Sequence, residues 1–365
     1  MSAHRTTPRT DLARRLAQCT LDLVNIESVS RNEGALAQAV TSLTEPIAPS
    51  VVHDDSLFFA PDRRPGIPLV VFAGHLDTVP PQDNLPGRID DGAVHGLGAS
   101  DMKGALAVMV ELIRWLERDD PDTSLDCGFL FFAREELPID ASPITGLLEA
   151  APELREASLV VIMEPTANAI QLGCLGNLNA DVTYRGASSH SARPWLGDNA
   201  IHGAIRGLHK VAGSTAREVT VDGLGFYEVV NVTGIDGGIA RNIIPDEVVC
   251  HLNFRYAPSR MPDEAEAELR SLITGDATLS VVGNASPGRV ATDNELMERL
   301  GAASDAALEP KQAWTNVAEF TAVGIDAVNF GPGSPEYAHR ADEQVSIDAL
   351  AESFGALQRF VLGTQ

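Results

Sequence analysis

The sequence predicts an α/β fold, a mainly parallel sheet with helices on both faces, interrupted by a smaller ferredoxin-like α+β domain. Three observations predict it. Long apolar strands alternate with helical patterns up to about residue 175, the texture changes near Gly176 to strands of alternating polarity, and the α/β texture returns from about Pro287. The expected organisation is therefore one α/β domain in two parts, 1–176 and 288–365, with the inserted domain at 177–287.

The elements follow in order. Residues 12–23 and 33–43 read as helices, and "PLVVFAG" (68–74) as a buried strand. "DMKGALAVMVELIRWLERDD" predicts a strong helix from about Asp101, with Ser100 or Asp101 as its N-cap. Two buried strands, "LDCGFLFFA" (125–133) and "SLVVIM" (158–163), flank a further helical segment. A β–α–β–α–β order of this kind builds a parallel sheet covered by helices. "NLNADVTYRG" then alternates as a half-exposed strand does. "DNAIHGAIRGLHKVAG" is an amphipathic helix opened by Asp198 or Asn199. Strands near 229–234 and 247–256, a helix at 262–273 and a strand at 278–283 complete a β–α–β–β–α–β unit. A helix at 293–307, a strand at 326–331 and a closing helix at 347–362 return to the first domain. Neither an internal repeat nor a low-complexity tract is evident.

Composition narrows the function. The 365 residues are 44% apolar and 21% charged, ordinary for a globular protein. With 51 acidic against 27 basic side chains the formal charge is −24, which argues against nucleic acid or an anionic membrane as partner. The cysteines Cys19, Cys127, Cys174 and Cys250 form no CxxC pair, so buried free thiols are expected. The stretch "MSAHRTTPRTDLARRL" has no apolar core of a signal peptide, and no apolar run approaches the roughly 20 residues that span a bilayer. The expected location is the cytoplasm.

Candidate chemistry collects just past the C-terminal ends of apolar strands, where open α/β sheets bind ligands. His75 and Asp77 follow "PLVVFAG", Glu135 and Glu136 follow "GFLFFA", Glu164 follows "LVVIM", and His339 follows "AVNFG". Asp101 opens the long helix. Two imidazoles with several carboxylates, and no sulfur suitably placed, suit one divalent ion such as Zn²⁺ or a pair. Asp77 stands two residues beyond His75, so on an extended strand both side chains face one way. That spacing suits a carboxylate accepting the ring N–H of a metal-bound histidine, and it equally suits a carboxylate capping the "DTVP" turn.

"GHLDTVP" (74–80), "GLGASDMKGALA" (96–107), "REEL" (134–137), "MEPT" (163–166) and "YAHRADEQV" (337–345) resemble, in order and spacing, the dinuclear-zinc metallopeptidase and aminoacylase family. The likeness spans almost the whole chain, including "SSHSARPWLGDNAIHGAI" (188–205) and "NIIPDEVVCHLNFRYAP" (242–258), and is strongest to the family's desuccinylase branch. The resemblance implies a zinc-peptidase-type catalytic domain with a lid and dimerisation domain inserted. It implies two Zn²⁺ per subunit, with Co²⁺ or Mn²⁺ able to fit the same ligands. Asp101 would bridge them, His75 and Glu164 would complete one site, and Glu136 with His339 the other. Catalytic roles would fall to Glu135 as general base, to Asp77, and to His190, which would reach into the site of a partner subunit in a homodimer. Asn242, Arg255, Arg193 and Thr315 would contact substrate.

The implied reaction is attack of a metal-activated water on the amide of a small N-acyl amino acid, with a succinylated diamino acid as first expectation. A related deacylase or glutamate-type carboxypeptidase is the alternative. A non-catalytic binding module would have lost a ligand or the base, and all six of these positions are filled. "QAWTNVAEF" (312–320) departs from the branch, which carries an arginine where this chain has Glu319 and an aspartate where it has Asn316. An acid there reverses the charge offered to a substrate carboxylate unless it points away or pairs with Arg340.

Overall fold

The computed structural model describes residues 8–364, so the Met1–Thr7 part of the N-terminal stretch read above lies outside them. The described chain divides into two compact units, one of residues 8–172, 291–309 and 319–364, the other of 173–290 and 310–318.

The first unit is built on an eight-stranded sheet. Its centre is four parallel strands in the spatial order Asp126–Phe132, Leu69–His75, Ala157–Ile162 and Ala327–Asn329. Every residue of Leu69–His75 is buried, which is why it reads as an unbroken apolar run rather than an alternation. Antiparallel strands finish the edges. One of them belongs to a hairpin, Val51–His53 with Ser56–Phe59, that the periodicity did not predict. Its turn uses two left-handed aspartates, Asp54 and Asp55 at φ 54° and 61°, a hairpin turn without the glycine that usually announces one.

The long helix begins later than predicted, at Gly104, and runs to Asp119. Residues 99–103 instead form a wide irregular turn in which Asp101 (φ −126°, ψ 89°) and Met102 are non-helical. The N–H groups of Gly98, Ser100 and Asp101 are taken by the carboxylate of Glu343, which draws this segment away from the helix axis. From Gly104 to Ile113 the helix is wholly buried. It packs with Pro8–Val24 and Ile347–Leu362, with Trp115 edge-on to Phe354 at 6.4 Å. Each large side chain buried in this way contributes about 1.5–3 kcal/mol.

The second unit is an antiparallel sheet in the order Arg217–Val221, Leu224–Gly237, Glu247–Tyr256, Gly176–Arg185 and Ala277–Ala285. The last four strands have the ferredoxin-like order, and the first is an added hairpin strand. Leu178, Ala180, Val182 and Tyr184 alternate inward beside Val248, Cys250, Leu252 and Phe254. Ala204 and Leu269 meet them from the helices Ala200–Gly207 and Pro262–Leu272. Asn199, not Asp198, caps the first helix, accepting a hydrogen bond from His202 N at 3.2 Å.

Residues 310–318, assigned from sequence to the first domain, pack with the second unit. Leu175 N donates to Ala313 O (3.0 Å), Gln312 Nε2 to Tyr227 O (2.7 Å) and Trp314 Nε1 to Ser286 O (3.1 Å). Scattered bonds of this kind, one from the backbone and two from side chains, leave no periodic signal. Cys19, Cys174 and Cys250 are buried free thiols, and Cys127 is a free thiol that is mostly buried. No helix among the described residues is long and apolar enough to cross a membrane.

Glu228 ties the second unit together. Its buried carboxylate accepts from Ala257 N (3.0 Å), Arg260 Nε (2.9 Å) and Arg217. Burial alone would raise its pKa, but these donors outweigh burial and hold it below the usual carboxylate value. Glu228→Gln is expected to cost about 1–3 kcal/mol at neutral pH. The stabilisation is complete above the unfolded pKa of about 4.3 and vanishes as pH falls through the depressed folded value. Thermal melts of wild type and variant should therefore differ at pH 7 and converge under acid.

Candidate metal centre and active site

His75 ends its strand opposite Phe132 of the neighbouring one, so the sheet itself sets it at the carboxyl edge. The imidazole is buried, with Nε2 3.0 Å from Asp101 Oδ1. The other oxygen of Asp101 lies 3.5 Å from Nε2 of His339, and that nitrogen is 2.9 Å from Glu136 Oε1. Asp101 thus presents one oxygen to each of two imidazoles. Donor atoms of His75, Asp101 and Glu136 lie within 4.8 Å of one another.

Asp77 meets His75 closely through its backbone and at longer range through its carboxylate. The ring Nδ1 pairs with the backbone carbonyl of Asp77 at 3.0 Å, while carboxylate Oδ1 stands 3.6 Å away. The shorter bonds of the carboxylate go elsewhere. Oδ1 accepts from Glu135 N (2.9 Å), and Oδ2 from Glu136 N (3.1 Å) and Ser30 Oγ (2.7 Å). Asp77 therefore caps the turn carrying both glutamates, which follows Arg134 at a left-handed φ of 61°.

Charge is crowded here. Burial, then Glu164, Glu136 and Asp101, push the Glu135 carboxyl well above its ordinary value, against the pull of His75. The hydrogen bond to Glu136 raises His339 to about 9. Burial would lower His75, yet Asp101 and Asp77 carry it well above its usual value. Four carboxylates with two imidazoles as their near partners make a strong demand for cationic charge. Nitrogen and oxygen donors at this spacing suit a borderline divalent ion, and a carboxylate offering an oxygen to each side suits a shared ligand.

Sequence reasoning missed the support beneath Asp101. Glu343 is buried and spans three backbone N–H groups, Gly98 (2.9 Å), Ser100 (3.0 Å) and Asp101 (3.0 Å). Burial pushes its pKa up to about 7 against the pull of those donors. Gly98 is left-handed at φ 75°, and a Cβ there would press on Thr78 at 2.8 Å. A Cβ on Gly333 would come within 2.1 Å of Ser100 O. The loop bearing Asp101 thus fits closely against the segment leading to His339. The only hint in the sequence was an acid four residues after His339.

Glu319 accepts from Ser142 Oγ at 2.9 Å, and Arg340, one of the two ways considered of offsetting its charge, is turned to Asp342, Nε to Oδ1 at 2.7 Å. The remaining candidates belong to the second unit. His190 is exposed on the short strand Ser189–His190, paired with Ile243–Ile244. Arg193 N donates to His190 O (2.7 Å) and Ser191 N to Asn242 O (3.0 Å), so His190, Arg193 and Asn242 share one loop cluster. Arg255 Nε donates to Asn253 Oδ1 at 3.1 Å. The Thr315 hydroxyl is buried without a hydrogen-bond partner among the described residues.

The profile of Peptidase family M20/M25/M40 matches residues 71–363. A Corynebacterium glutamicum protein named succinyl-diaminopimelate desuccinylase is 34% identical over 354 residues, covering 94% of this chain and 95% of its own. A Mycobacterium tuberculosis protein named for the same activity, DapE, is 33% identical over 349 residues, covering 95% of this chain and 98% of its own. Among solved structures, a tripeptidase from Staphylococcus aureus superposes with a TM-score of 0.78 at 20% identity, covering 96% of this chain and 97% of that one. Fold and centre together define a metal-dependent amide hydrolase. The chain belongs to Peptidase family M20/M25/M40, and its likeness to the desuccinylases places it with the desuccinylase-like amidohydrolases.

Metal binding should depend on Asp101. After chelator treatment and dialysis, wild-type protein is expected to take up Zn²⁺ in calorimetric titration. Asp101→Ala should lose most of that uptake while keeping its circular dichroism spectrum.

Proposed function

We propose that the protein hydrolyses N-succinyl-LL-2,6-diaminopimelate to succinate and LL-2,6-diaminopimelate, a cytoplasmic step of diaminopimelate and lysine biosynthesis. The observation that carries this reading is Glu135, set beside the His75–Asp101–Glu136 donor group by the Asp77-capped turn. The desuccinylase relatives over nearly the full chain support the substrate. His75 and Glu164 would hold one zinc ion, Glu136 and His339 would hold a second, and Asp101 would serve both. Bound there, they would supply Lewis acidity and lower the pKa of a coordinated water toward neutrality.

The chain's own residues do the rest. Glu135 takes the proton of the attacking water and returns it to the leaving amine. Asp77 fixes the turn that aims Glu135 and Glu136 apart. His190 serves the partner's site in a homodimer formed through the second unit, donating to the developing oxyanion. Its exposure, on a loop that also displays Trp195 and Leu196, supports that role. Arg193, Asn242, Arg255 and Thr315 hold the substrate, the free Thr315 hydroxyl offering a hydrogen bond.

A second reading keeps the chemistry and changes the acyl group. Glu319 puts an acid, held by Ser142, into the segment that follows the catalytic pair. An acid there disfavours a substrate carboxylate and points to a related N-acyl amino acid. A panel of succinyl-diaminopimelate, acetyl- and formyl-amino acids and C-terminal glutamyl peptides on zinc-loaded enzyme separates the two. Fastest turnover of the succinyl substrate is expected, and its absence beside turnover of another would overturn the first reading.

Glu135→Gln should bind zinc as wild type does and lose kcat by several orders of magnitude. His190→Ala should lower kcat by about 10²–10³-fold, as loss of one oxyanion donor does, with sedimentation still reporting a dimer.

A further inference from the structure

We infer that Glu343 is a positioning residue of the metal centre, clamping the loop of Asp101 to the segment of His339. The inference rests on the reading of that centre as metal-binding. Asp101 reaches His75 and His339 from a wide turn in which it and Met102 are non-helical, so helix geometry alone does not fix its backbone. Glu343 Oε1 accepts from both Ser100 N and Asp101 N, and Oε2 from Gly98 N. Its carbonyl accepts from Gly96 N at 3.0 Å. Four backbone donors of one short loop therefore end on a single residue.

That residue is itself anchored. Glu343 N donates to Arg340 O at 3.2 Å, and the next residues, Gln344–Ser346, pair with Ala93–His95 just before the loop. Ser100 Oγ adds a bond to Ser334 O at 2.8 Å, five residues before His339. Burying a carboxylate is costly, and this one is held there by three loop N–H groups that would otherwise be left without an acceptor. The arrangement is accounted for by geometry: both oxygens are used to fix the backbone of one ligand, from a residue four positions beyond another. Residues that orient metal ligands typically change affinity or activity about 10–100-fold when replaced.

The test uses the full-length chain, Glu343→Gln, with Zn²⁺ and Co²⁺ as probes. The amide turns a donor toward at least one loop N–H, at nearly the same size. Zn²⁺ affinity by chelator competition is expected to fall about 10–100-fold, the visible spectrum of the Co²⁺-loaded protein to shift, and kcat to drop with KM nearly unchanged. Metal-free melting reports the purely structural part. Wild-type affinity and spectrum in Glu343→Gln, whatever its melting temperature, would overturn the assignment.

Asp101→Ala runs alongside: if it binds zinc as tightly as wild type, the metal reading itself has failed, not merely the clamp. Should Glu343→Gln not fold, Ser100→Ala removes only the bond to Ser334. A few-fold loss of Zn²⁺ affinity with the fold intact is then expected, and unchanged affinity refutes the clamp.

Discussion

Asp101 holds one carboxylate oxygen toward His75 and the other toward His339, and much of the catalytic unit is arranged around keeping it there. The histidines come from distant parts of the chain. One ends a central strand, the other sits in a loop at a left-handed φ of 61°. Glu135, Glu136 and Glu164 crowd the same edge, and like charges in a poorly solvated place repel strongly. A flexible scaffold would relieve that repulsion by letting the side chains part.

The unit resists through buried carboxylates that grip backbone rather than ligands. Asp77 takes the N–H groups of Glu135 and Glu136, and Glu343 takes those of Gly98, Ser100 and Asp101. Hydrogen bonds to an ionised acceptor are about twice as strong as neutral ones. Each also ties a loop at the level of its main chain, where a shift would move the side chain with it. The two adjacent glutamates can then differ in task. Glu136 meets His339, while Glu135 lies under the influence of Glu164 and His75.

Much of this architecture was legible in the sequence because its signals are local. The apolar runs of the central strands, the 3.6-residue period of the long helices and the change of texture near Gly176 need only neighbouring residues to be read. The residue types at the strand ends named the chemistry, and the five ordered motifs named the family. The proposed division of base and ligand between the two glutamates rests on the resemblance, since alternation says only that neighbours diverge. Glu343 passed unnoticed because an acid in "RADEQV" looks like any solvated loop residue until the loop is folded.

The sequence by itself determined the α/β class, the inserted ferredoxin-like unit and the side chains able to hold a divalent ion, all of which follow from composition and short-range pattern. Only the tertiary structure decided that Asp77 caps the glutamate turn, that the long helix gives way to an irregular loop at Asp101, that residues 310–318 join the second unit, and that Glu343 supports Asp101. The physical reason is distance along the chain. The hydrogen bond from Asp101 N to Glu343 joins residues 242 positions apart, and only the folded chain brings such partners together.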